Sequence, residues 1–152
     1  MISILNKAIL AIISLLPRKI VFIFAGKYVA GDNIDTLIKA TKNVNKLGYS
    51  ATIDILGEHT KSVKESNKIT KNYLDIYNHI KKNNLKSNVS LKPSHIGLDV
   101  SYKLCIKNLM SIANKAQETK NFLRIDMESS KHTDDTINLL KDSFLKYQNT
   151  GT

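Results

Sequence analysis

One cysteine, two prolines and six glycines are spread over 152 residues, with no Gly/Ser linker, no proline-rich tract and no low-complexity block. A lone thiol, Cys105, excludes an internal disulfide framework, and a reducing compartment is its simplest setting. No such linker or tract divides the chain. No GxGxxG, P-loop or nucleophile elbow occurs, which argues against a conventional Rossmann nucleotide site in this stretch. Nor is there an HxH or HExxH pair on one element; His59 and His95 lie near acidic residues, but no metal is expected. Lysine supplies nearly all of the positive side of a formal net charge of +10. The lysines are scattered along helix-like stretches, without a compact basic run or interleaved aromatics, so they read as solvated surface and no nucleic-acid partner is expected.

What is present begins with Met1–Leu16, a strongly apolar stretch closed by Pro17-Arg18-Lys19. It is shorter than the roughly 20 residues of a spanning helix. No small-x-small cleavage site follows it, because Ile20–Gly26 stays apolar, so a secretory signal fits poorly. A helix packed on the domain or lying on a membrane surface fits better. The expected organisation is an apolar helical segment over 1–30 and a β/α domain over 31–152. A cytoplasmic location follows, with peripheral contact at the inner membrane face left open.

Three short apolar runs end in polar chemistry: Ala51–Glu58, Asn88–His95 and Phe122–Ser129. Strand starts at Ile53, Val89 and Leu123 recur every 34 to 36 residues, room for a strand, a crossover helix and two loops. A first helix starts near Gly31-Asp32, with Asp32 or Asn33 as cap, and carries Ile34, Leu37, Ile38, Thr41, Val44 and Leu47 before Gly48 stops it. A second runs from Ser62 to Asn83 with Ile69, Tyr73, Ile76, Tyr77 and Ile80 as its stripe. The third, capped by Asp99 or Ser101, offers Cys105, Ile106, Leu109, Ile112 and Ala113 to the core. The last, His132–Tyr147, offers Ile137, Leu139, Leu140, Phe144 and Leu145. A closed (β/α)8 barrel needs about 250 residues. The chain stops at Asn149-Thr150-Gly151-Thr152, where a fourth strand would begin. The expected fold class is therefore α/β: the N-terminal half of a (β/α)8 TIM-type barrel, truncated before strand four.

In such a barrel the C-terminal strand ends meet on one face, which would gather Glu58, Lys92 and Asp126. Asp126 follows an apolar strand, where a carboxylate is costly unless paired or functional; the alternative to function is an ion pair with Arg124, two positions away on the same strand face. Pro93 keeps Lys92 extended. That lysine could bind a carboxylate, form a Schiff base, or pair with Asp126. Glu58 could be a gate, an acid/base or an exposed loop carboxylate. Asp54 could face the barrel interior or the helical layer. His79 and His132 read as surface residues.

FAGKYVAG (Phe24–Gly31), DILGEH (Asp54–His59), NVSLKPSHIGLD (Asn88–Asp99) and FLRIDMES (Phe122–Ser129) together resemble the proline dehydrogenase family, in order and spacing, over Phe24–Thr152. The resemblance implies FAD-dependent oxidation of L-proline to 1-pyrroline-5-carboxylate in proline catabolism, with electrons passed to a quinone. It would set Lys92 at the proline carboxylate, Asp126 in the catalytic site, Met127 against the flavin and Glu58 as the gate. The family commonly reads RIDMED where this chain has Ser129 in place of the last Asp. Its later strands bring most flavin contacts and its C-terminal helix the paired arginines, so the missing C-terminal half of the barrel is an implied partner, and this chain alone is expected to be inactive. Two other readings stand beside it: a Schiff-base lyase or aldolase-type barrel using Lys92, and a non-enzymatic basic membrane-associated module.

Overall fold

The computed structural model describes Pro17, Ile20 and residues 29–152; Met1–Leu16 and most of the Phe24–Gly31 motif lie outside the described residues. Two compact units are distinguished, residues 1–40 and 41–152. Asn33 rather than Asp32 opens helix α1 (Ile34–Lys46), its side-chain oxygen accepting the Thr36 N–H at 3.0 Å. Gly48, at a φ of +91°, closes the helix, where few side chains other than glycine sit without strain. Val44 and Leu47, read above as part of its apolar face, are exposed.

Four parallel strands follow in the order β1 (Ala51–Ile53), β2 (Ser87–Leu91), β3 (Leu123–Ile125) and β4 (Thr150–Gly151). Ile53, Val89 and Leu123, the positions whose recurrence suggests the repeat, lie side by side in register, and Thr150 extends the row. The chain does not stop before strand four, as expected above: Thr150–Gly151 already pair with β3, and Asn149 O accepts the Leu123 N–H at 2.9 Å. Helices α2 (Val63–Lys82), α3 (Tyr102–Glu118) and α4 (Thr133–Lys146) are the crossovers. Ser62 caps α2 by accepting the Glu65 N–H at 3.2 Å, and Ser101 rather than Asp99 caps α3 by accepting the Leu104 N–H at 3.2 Å.

The strands sort their residues by the period of two that a pleated backbone imposes. Ile53, Val89, Leu91, Leu123 and Ile125 are buried with the helices. Against them pack Tyr73, Ile76, Tyr77 and Ile80 of α2, Cys105, Leu109, Ile112 and Ala116 of α3, and Leu139 of α4. Burial pushes the Cys105 thiol up to about 12, so this cysteine is an inert core residue. Alternate positions belong to the other face, and they are polar throughout: Thr52 and Asp54, Asn88, Ser90 and Lys92, Arg124 and Asp126. Ile137, Phe144 and Leu145 of α4, read above as core, are exposed: the helix seats Thr136, Leu139 and Ser143 against α3 and β4 and turns those three outward.

Candidate active site

Asp54, Lys92 and Asp126 each stand one residue past the end of β1, β2 and β3, so the parallel sheet carries all three to one edge. Lys92 stays extended before Pro93, at φ −97° and ψ 130°, as the ring of the following proline requires. Its ammonium lies 3.7 Å from Asp54 Oδ2, and Tyr73 donates its hydroxyl to Asp54 Oδ1 at 3.4 Å. Partial burial raises the Asp54 carboxyl above its ordinary value, and the Lys92 charge works against that rise. Both side chains keep about a third of their surface open, 28% for Lys92 and 34% for Asp54, so the pair orients the ammonium more than it stabilises the fold.

Asp126 is held differently. Its N–H donates to the Leu91 carbonyl at 2.9 Å, and its carboxylate accepts the Ser90 hydroxyl. Neither of the ion pairs weighed from sequence forms. Lys92 turns to Asp54 on β1, and Arg124, exposed in the row of Ser90, makes no ion pair with Asp126. Met127 is 47% exposed beside Asp126. Glu58 is an open loop carboxylate whose nearest cationic partner is His59 Nε2, 3.8 Å away.

The loops above these strand ends are tied to one another. Ser94, fully buried after β2, donates its N–H and hydroxyl to Glu128 after β3 at 2.9 and 2.5 Å. Its hydroxyl oxygen accepts the His59 N–H at 3.1 Å, and its carbonyl accepts the Thr60 N–H at 3.1 Å. Asp99 lies between two histidines, 2.6 Å from His59 Nδ1 and 3.1 Å from His132 Nε2. His132 is buried, not a surface residue as read above, because the 3-10 turn Ser130–His132 tucks its ring beneath the loops. Sequence reasoning missed Ser90, Tyr73 and the pairing of Asp99 with the histidines. Strand parity placed Ser90 on the Lys92 side and was the one available signal; the others depend on loop conformation.

His95 is buried with its ring edge-on to Tyr73, centroids 6.4 Å apart, and its Nδ1 has no hydrogen-bond partner among the described residues. A Cβ on Gly57, whose φ is +151°, would come within 2.5 Å of its Nε2, so Gly57 is what admits the ring. Burial holds the imidazole below its ordinary value of 6.5. The unfolded chain therefore takes up a proton that the native state refuses, and stability is lost as the pH falls below that value. Urea midpoints should drop between about pH 7.5 and about pH 5.5. The His95→Gln variant should show a shallower drop; an equal drop in both proteins would exonerate His95.

Residues 37–151 match the family described as proline dehydrogenase. Proline dehydrogenase 1 of Bacillus subtilis strain 168 is 34% identical over 128 residues, covering 84% of this chain and 42% of that protein. Proline dehydrogenase 2 of Bacillus subtilis subsp. natto is 32% identical over 130 residues, covering 86% and 43%. The proline dehydrogenase of Deinococcus radiodurans is 26% identical, covering 80% and 40%. The chain thus spans about two-fifths of the length of these curated relatives. Proline utilization A from Bdellovibrio bacteriovorus, solved after inactivation by N-propargylglycine, shares the fold with a TM-score of 0.70 over 79% of this chain and 15% of that one, at 22% identity. Among the described residues no helix is long and apolar enough to cross a membrane.

Proposed function

Because the chain belongs to the proline dehydrogenase family, we propose that its strand-end cluster serves the oxidation of L-proline to 1-pyrroline-5-carboxylate, in a protein whose remaining strands complete a (β/α)8 barrel. One observation carries this reading: an ammonium and two carboxylates, Lys92, Asp54 and Asp126, stand together at the C-terminal ends of three adjacent parallel strands. Proline presents the complement, one carboxylate and one secondary amine. Lys92 binds the carboxylate as a charge-assisted partner, with Asp54 holding the ammonium in place. Asp126, oriented by the Ser90 hydroxyl, would take the amine proton, and the hydride leaving the adjacent ring carbon would pass to FAD when it is bound, so that the ring C–N bond becomes C=N.

Residues of this chain also fit FAD. Met127, in the loop just past β3, leaves an apolar side chain 47% open next to Asp126 in the chain, which suits the edge of a flat ring system. Bound FAD supplies the two-electron acceptor, and a quinone takes the electrons onward. Such an acceptor resides in membranes, which fits a cytoplasmic protein touching the inner membrane face. Glu58, on the exposed loop after β1, is free to close over the substrate as a gate.

The test is product formation by the native protein, recovered from its source with an antibody to residues 41–152 and supplied with L-proline and an artificial electron acceptor. Trapping of a cyclic imine is expected, and its rate should fall on the order of 10²- to 10⁴-fold in the Asp126→Asn variant. No imine from the unmodified protein, or an undiminished rate in the variant, would overturn the proposal.

A further inference from the structure

We propose that His59, Asp99 and His132 form a binding site for a divalent transition metal of the zinc type, which pins together the loops that follow β1, β2 and β3. The three residues come from three different loops, yet one candidate ligand atom from each lies within 4.8 Å of the others. His59 Nδ1 is 2.6 Å from Asp99 Oδ2, and His132 Nε2 is 3.1 Å from Asp99 Oδ1. Two imidazoles and one carboxylate are a zinc-type donor set. Ligands around a tetrahedral ion with bonds of roughly 2.0–2.1 Å stand about 3.3 Å apart, so small ring and carboxylate shifts bring these three into place.

Three further observations favour a built site. Glu58 Oε1 lies 3.8 Å from His59 Nε2, behind the nitrogen that would face the ion, where metal-binding histidines commonly keep a carboxylate. His59 holds a φ of +55°, an uncommon conformation for a residue with a Cβ, and its N–H is anchored on Ser94 Oγ. The two rings, both within reach of Asp99, are tilted by 42° to each other with centroids 6.3 Å apart. His132 is nearly closed to solvent and supplies the inner ligand, while the half-open His59 leaves the fourth position to water. The competing cation is Lys131, whose ammonium lies 3.8 Å from Asp99 Oδ1; its side chain is 79% exposed and can swing out as a metal enters.

The site does not depend on the proline reading, since none of its ligands is assigned to proline or FAD. It also gives Glu58 a second consequence: a metal on the adjacent His59 would fix the backbone from which the proposed gate moves.

Co²⁺ is the probe, because cobalt in a site with nitrogen and oxygen donors absorbs visible light. The full chain, stripped with a chelator, is titrated with Co²⁺ and then with Zn²⁺. One equivalent of visible absorption is expected, with Zn²⁺ displacing it. His59→Gln is the informative variant, because His59 is exposed and glutamine still reaches Asp99 with a hydrogen bond; its Co²⁺ affinity should fall at least about 100-fold. In parallel, added Zn²⁺ should raise the urea midpoint of the unmodified chain and leave that of the variant unmoved. No saturable cobalt signal, or a signal of equal affinity in the variant, would overturn the proposal and leave Asp99 a plain hydrogen-bond acceptor for the two histidines.

Discussion

Replacing Lys92 with Met in the native protein is expected to lower kcat/KM for L-proline on the order of 30- to 1,000-fold, mostly through KM. Methionine keeps much of the length and the apolar stem and removes only the charge. What would be lost is the proposed charge-assisted contact with the substrate carboxylate in a partly desolvated strand-end site, which costs about 2–4 kcal/mol when one partner is truncated. The contact exists in the bound substrate as well as in the transition state, so kcat should move less than KM. A second effect adds to it. Asp54, whose carboxyl burial already raises, loses the cation that opposes the rise, so it too moves toward its neutral form. Steady-state kinetics with L-proline decide the matter: an unchanged KM would remove Lys92 from the substrate site.

Leu109→Ala should destabilise the chain by about 3–5 kcal/mol, a large share of the roughly 5–15 kcal/mol that holds a typical domain together. Leu109 is fully buried on α3, the helix that packs against α2, α4 and β3. Its neighbours on the same stripe, Cys105, Ile112, Ala113 and Ala116, are also closed to solvent. Around a leucine with helices and sheet on several sides, the remaining atoms can collapse only partly, so the cost combines lost burial with a cavity. Urea unfolding measures it. A loss below about 1 kcal/mol would mean that α3 is loosely seated and that the sheet is held by something else.

Those buried stripes are what the sequence states most clearly. The starts of α2 and α3 follow from a 3.6-residue apolar period preceded by Ser62 and by Asp99 or Ser101, and the structure starts each helix one residue after its serine. Strand register was legible for a related reason: Ile53, Val89 and Leu123 are all buried, and burial of one face leaves a single register. Helix α4 was harder. Its apolar residues outnumber the partners available to it, so Phe144 and Leu145 stay in solvent although their spacing resembles a core stripe.

The site was legible in its location and less so in its wiring. Lys92, Asp126 and Glu58 could be assigned to one edge because parallel strands all point the same way. Which carboxylate Lys92 would choose could not be read, since Asp54 and Asp126 flank it on neighbouring strands and the choice rests on side-chain geometry. Ser90 settles part of it by occupying Asp126 from the same strand as Lys92. His132 was misread because a histidine among polar residues gives no sign of the turn that buries it. Glu58 and Met127 are exposed, and their assigned roles as gate and flavin contact rest on the proposed function.

The proposed function makes this strand-end cluster part of a flavoenzyme acting on L-proline. It is met most directly by adding L-proline, without oxygen, to the native protein recovered from its source and recording the visible flavin absorption. Bleaching that L-proline brings about and that the Lys92→Met variant reaches only at far higher proline concentration is the expected result. A recovered protein without flavin, or one whose flavin stays oxidised in saturating L-proline, would contradict it.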